Sequence, residues 1–108
     1  MSSEQVRVQT TVDDSIESDG VVLFMKGTQA QPRCGFSQRA LGLISQHREE
    51  FQTVNVLDAL PEYRAALEEH SGWETIPQVY VDGEFVGGSD ILSELDEQGD
   101  LESTLQTE

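Results

Sequence analysis

Cys34 is the only cysteine in a chain of 108 residues, and it stands in "PRCGFSQRA", where the residues begin to read as helical. A cysteine at a helix N-terminus meets the positive end of the helix dipole and several backbone N–H groups that lack intrahelical partners. Both favour thiolate over thiol, and neighbouring cations add to the effect. Arg33 is adjacent, and Lys26 follows an apolar run from which it can approach across the intervening loop. Gly35 leaves the backbone open to a visiting group. Three positions after Cys34, where a redox pair would place its second cysteine, stands Ser37. The residues therefore describe one reactive thiolate that can form no internal disulfide, which suits a reducing cytoplasm. A buried, inert cysteine is the alternative, and the polar, basic setting argues against it.

The chain around this thiol is strongly acidic. Its formal charge is −15, from 21 acidic and 6 basic residues, which makes nucleic acid a poor partner. The longest apolar run, "VVLFM", is far too short to span a membrane, and the N-terminus lacks the pattern of a secretory signal. A single cytoplasmic domain over residues 1–108 is expected. Heavy acid with a single lysine resembles proteins of salt-loving microbes, in which concentrated ions screen self-repulsion. The charge is also uneven. From Lys26 to Arg48 there is no Asp or Glu, where composition predicts about four, while Lys26, Arg33, Arg39 and Arg48 all fall inside. A local positive field around Cys34 is one reading; an ordinary amphipathic surface is the other.

The elements that must position these residues follow from periodicity. "VVLFM" at 21–25 reads as a strand buried on both faces. From Gly35 to about His47 the pattern is helical, with Phe36, Ala40 and Ile44 at four-residue spacing and Gly42 permitting close packing. "FQTVNV" at 51–56 reads as a second strand, so the two strands form a βαβ unit and run parallel. Pro61 opens another helix and Gly72 ends it. "PQVYVDGEFVGG" reads as a hairpin around Asp82-Gly83. Ser89 caps a helix beginning "SDILSEL", and "LESTLQ" suggests a short terminal one. Val12 and Ile16 suggest a first helix starting after Thr10 or Thr11. The expected fold class is α/β, with a four-stranded mixed sheet flanked by helices.

"MKGTQAQPRCGFS" followed by "WETIPQVYVDGEFVGGSDI" resembles the monothiol glutaredoxins of the CGFS type, a branch of the thioredoxin-like fold. The resemblance runs from about Val21 to the C-terminus and is weak over residues 1–20. Many members carry cysteine where Ser89 stands. The resemblance implies a glutathione site built on the matched motifs: Cys34, Gly35 and Phe36 of C-G-F-S, Thr75, Ile76 and Pro77 of T-I-P, and Gly88, Ser89 and Asp90 of G-G-S-D. Cys34 would face the glutathione sulfur, and Lys26 and Arg64 would bind the glycine carboxylate. Arg64 has an alternative partner in Glu68, one turn on. Ile76 would offer its backbone to the peptide, ahead of a cis Pro77. Ser89 and Asp90 would hold the γ-glutamyl end at a helix start. Trp73 and Phe36 are pocket walls or core, and His47 and His70 lack metal-ligand spacing.

Two functions compete. Cys34 can exchange with glutathionylated proteins as a thiol–disulfide oxidoreductase, an external thiol replacing the missing resolving cysteine. Alternatively, the chain carries a 2Fe-2S cluster, which needs four thiolates. Cys34 from two protomers and two glutathione molecules supply them, so that the cluster-loaded form is a homodimer, the apo form a monomer, and iron–sulfur acceptor proteins the partners. Eight positions separate Lys26 from Cys34, and in the family this long loop goes with cluster binding and poor reductase activity. The small thiol is glutathione or γ-glutamylcysteine, which some salt-loving microbes use.

Overall fold

The computed structural model describes residues 2–107. "VVLFM" forms β1 (Val21–Met25), and all five residues are buried. Because side chains alternate across a strand, Val22 and Phe24 enter one core while Val21, Leu23 and Met25 enter the other. β1 is therefore central. β2 (Gln52–Asn55) runs parallel to it on one side, and β3 (Gln78–Val81) runs antiparallel on the other, pairing in turn with β4 (Glu84–Gly87). The β3–β4 turn has Asp82 and Gly83 at φ 49° and 87°, the doubly left-handed geometry that a two-residue hairpin favours.

Helices cover both faces. α1 (Ser3–Glu17) and α3 (Leu60–Ser71) close the core that contains Phe24, Tyr63, Leu67 and Tyr80. α2 (Gly35–Ser45), α4 (Ser89–Gln98) and α5 (Leu101–Thr104) close the core that contains Leu23, Met25, Ile44 and Leu92. This four-stranded mixed sheet flanked by helices is the thioredoxin-like arrangement that the resemblance implies.

Four local expectations need correction, while the bounds of α3 hold. α1 starts at Ser3, not after Thr10, because Ser2 and Gln5 form a reciprocal capping box: Gln5 N–H donates to Ser2 Oγ, and Ser2 N–H to Gln5 Oε1. Phe36 is 61 % exposed, and Ser37 takes the inward position with Ala40 and Ile44. Gly42 faces open space, so it mediates no close packing. As expected, Pro61 stands in the first turn of α3, after a short 3-10 turn at Leu57–Ala59, and Gly72 closes the helix at φ 79°. Gly88, not Ser89, is the cap position of α4, and Ser89 is its first helical residue.

Candidate functional site

The segment between β1 and α2 folds back on itself. Gly27 bridges Pro32, Arg33 N–H donates to the Lys26 carbonyl at 2.9 Å, and Thr28 and Gln31 exchange backbone bonds. Gly27 is needed there: its φ is 98°, and an added Cβ would lie 2.5 Å from the Gln31 carbonyl oxygen. Asn55 holds the same corner, its Oδ1 accepting from the N–H groups of Gly27 and Leu57. The excursion thus returns the chain to Lys26 before α2 begins, so its eight-position spacing does not separate Lys26 from Cys34 in space.

Cys34 occupies the cap position of α2, partly exposed and in extended backbone geometry. Its thiol makes no cap hydrogen bond of ordinary geometry. Burial pushes the thiol pKa up, but the N–H groups of Ser37 and Phe36 turned toward the sulfur, the Lys26 charge and the Ser37 hydroxyl together outweigh it. The net shift is downward, toward thiolate. Ser37 itself is fully buried and accepts the Lys26 N–H at 3.0 Å.

Beside the thiol lies a cleft of about 790 Å³. Its lining brings together Lys26 after β1, Phe36 on α2, Arg64 on α3, Thr75, Ile76 and Pro77 before β3, and Gly88, Ser89 and Asp90 at the start of α4. Cys34 and Gly35 stand outside the lining itself, next to Phe36 in the chain. The Ile76–Pro77 peptide is cis. Gly88 lets α4 approach this corner, since a Cβ there would lie 3.0 Å from the Pro77 carbonyl oxygen. No side chain caps α4, so the N–H groups of its first turn remain available to a carboxylate. Lys26 and Arg64 lie outside the ion pairs found among the described residues, including any with Glu68. Trp73 and Phe36 are both largely exposed walls, and the Trp73 ring rests against Phe85 with centroids 6.3 Å apart.

Glu74, Gln78, Phe85 and Ile91 complete the lining and were not anticipated. Gln78 organises the wall. It is 1 % exposed, and its Nε2 donates to the Trp73 carbonyl at 2.7 Å and the Thr75 carbonyl at 3.1 Å. Its Oε1 accepts from Tyr80 at 2.9 Å and Ser71 at 3.2 Å. Both donors and both acceptor positions of one buried amide are thereby used, and the segment 73–77 hangs on it. The available signal was a polar residue opening the otherwise apolar strand "QVYV". Glu74 gives the cleft a second carboxylate beside Asp90, so it presents two cations and two anions to a zwitterionic ligand.

The acid-free window divides on folding. Lys26 enters the cleft, and Arg33 and Arg39 are exposed near the start of α2. Arg48 instead bonds the Leu105 carbonyl and Thr107 Oγ1, so it fastens the C-terminal end and adds nothing beside Cys34. His47 pairs with Asp96 and His70 with Asp13. Among the described residues no cluster of three or more His, Cys, Asp or Glu has metal-binding geometry, and no helix is long and apolar enough to cross a membrane.

Comparison with known proteins gives concordant results. The family model described as Glutaredoxin matches residues 21–86. A ycf64-like monothiol glutaredoxin from Synechocystis is 45 % identical over 95 residues, covering 88 % of each chain. The solution structure of reduced, apo GrxS14 from poplar superposes with a TM-score of 0.75 at 43 % identity, covering 90 % of this chain and 88 % of that one. A buckwheat glutaredoxin–glutathione complex superposes with a TM-score of 0.79 at 24 % identity, covering 97 % and 93 %, a likeness of fold alone.

Proposed function

The chain belongs to the glutaredoxin family, among its monothiol members, and we propose that it carries and transfers a 2Fe-2S cluster as cargo. A 2Fe-2S cluster takes four thiolates. One chain has one cysteine. Cys34 from each of two protomers, with one small thiol bound in each cleft, completes the set. The observation that carries this reading is the position of the only thiol: partly exposed at the open end of α2, drawn toward thiolate, and beside a cleft able to hold a charged peptide.

Within the cleft, Lys26 and Arg64 take the terminal carboxylate of glutathione, the Ile76 backbone pairs with its peptide, and the α4 N-terminus with Asp90 holds the γ-glutamyl end. Thr75, Pro77, Gly88 and Phe36 shape the walls, and Gly35 keeps the approach to the sulfur open. Since each protomer contributes a single bond to the cargo, competing thiolates of an acceptor protein displace it readily. Residues 1–108 act as one cytoplasmic domain in this scheme, α1 sharing its core with α3.

The lowered thiol pKa supports a second activity. The Cys34 thiolate attacks the glutathione sulfur of a glutathionylated protein, releasing the protein thiolate and leaving Cys34 bonded to glutathione. A second glutathione thiolate then restores Cys34 and departs as glutathione disulfide. Anaerobic mixing with iron and sulfide, adding glutathione or γ-glutamylcysteine in turn, separates the two. Colour that depends on one of these thiols supports the carrier. Brisk turnover of a glutathionylated peptide without any cluster makes the oxidoreductase the better reading.

A further inference from the structure

Glu74 lines the same cleft as Lys26, Arg64 and Asp90, yet it is exposed and joins no ion pair among the described residues. The backbone on either side fixes its place along the wall. Gln78 Nε2 holds the Trp73 carbonyl at 2.7 Å and the Thr75 carbonyl at 3.1 Å, so the residue between them is tethered at both neighbours. At the far end of the segment the start of α4 meets Pro77, since a Cβ on Gly88 would lie 3.0 Å from the Pro77 carbonyl oxygen. The wall therefore runs from the α4 N-terminus past Pro77, Ile76 and Thr75 to Glu74.

We infer that Glu74 is a specificity-determining residue that turns the cleft away from glutathione and toward γ-glutamylcysteine. The inference rests on the reading of the cleft as a γ-glutamyl thiol site, and it names the thiol. A peptide with its γ-glutamyl end at α4 and its backbone on Ile76 points its C-terminal end toward Thr75 and Glu74. Each extended residue adds about 3.5 Å of reach. The glycine of glutathione thus carries its carboxylate one residue closer to Glu74 than γ-glutamylcysteine carries its own. Lys26 and Arg64 attract either carboxylate. Glu74 opposes them, and because repulsion between like charges grows at short range, the opposition falls on the longer thiol. Selection here comes from a repulsive group, not from an added attraction. Asp90 has no part in it, because it serves the ammonium group that both thiols share.

The test titrates the apo-protein and Glu74→Gln with S-methylglutathione, its C-terminal amide and S-methyl-γ-glutamylcysteine, and takes each midpoint from the fluorescence of Trp73, the only tryptophan and a wall of the cleft. The methylated sulfur cannot exchange with Cys34, so neither cluster nor reductant enters. At about 0.15 M potassium chloride the unaltered protein should bind S-methyl-γ-glutamylcysteine about three-fold more tightly than S-methylglutathione. Glu74→Gln should erase that preference by tightening S-methylglutathione about three-fold, while the other two ligands change by less than about two-fold. The amide has the length of glutathione without its terminal charge, so it separates repulsion from a change in the shape of the wall. A glutathione preference in the unaltered protein overturns the proposal, as does a substitution that moves all three affinities alike or none of them. Either result leaves the cluster reading standing. Failure of every ligand to bind either form overturns the reading of the cleft itself, and this inference with it.

Discussion

The Lys26 backbone N–H donates to Ser37 Oγ at 3.0 Å, joining the end of β1 to the first turn of α2 through a fully buried hydroxyl. The same hydroxyl helps hold the Cys34 thiolate. The position that a dithiol protein would give to its second cysteine is therefore a structural clamp here, and the clamp sets where the thiol stands. Ser37→Ala leaves a buried N–H unsatisfied and should cost about 1–3 kcal/mol in urea unfolding. Ser37→Cys should give an internal disulfide with Cys34 on oxidation, seen by mass as loss of both free thiols. A variant that keeps two free thiols after oxidation contradicts this placement.

Cys34 should alkylate with an inflection below that of a free cysteine, since its pKa is lowered. Lys26 favours the charged form, so Lys26→Ala should move the inflection upward and slow the reaction at neutral pH. Iodoacetamide rates against pH read both. The inflection should also move upward at low salt, when the acidic bulk of the chain is least screened.

Gln78 carries the wall of the cleft at a distance from the thiol. Gln78→Leu removes two donors from the Trp73 and Thr75 carbonyls and should cost about 1–3 kcal/mol of stability. Its specific signature is a weakened affinity for S-methylglutathione, by about ten-fold, with the Cys34 alkylation rate unchanged. Equal affinity in the variant would show that segment 73–77 holds itself in place.

A charge of −15 on so small a chain should make stability depend on salt. The screening length falls from about 10 Å at 0.1 M to about 3 Å at 1 M, so self-repulsion fades over that range. The thermal midpoint should rise steeply with potassium chloride toward molar concentrations. A flat midpoint would set aside the resemblance to proteins of salt-loving microbes.

What the sequence disclosed follows physical rules with short range. β1 was legible because five consecutive apolar residues have few alternatives to a doubly buried strand, and Asp82-Gly83 because two left-handed residues favour one turn. α3 was bounded by Pro61 and Gly72 for similar reasons. The start of α1 was not legible from its apolar spacing, since the Ser2–Gln5 capping box precedes the first buried residue, Val8, by more than a turn. Phe36 fitted the helical apolar period yet faces the cleft, because the clamp at Ser37 fixes the rotation of α2. The thiol and its motifs stood out by residue type. Gln78 and Glu74 did not, because their importance depends on which carbonyls and cations the fold brings beside them.

The most direct measurement is the composition of the reconstituted protein. After anaerobic assembly with iron, sulfide and glutathione or γ-glutamylcysteine, native mass spectrometry should find two chains, one 2Fe-2S cluster and two small thiols, while the apo-protein runs as a monomer. Cys34→Ser should lose colour and dimer together, and Lys26→Ala or Arg64→Ala should weaken assembly by about 1–3 kcal/mol each. A stable cluster on Cys34→Ser, or one that forms without any small thiol, would contradict the account.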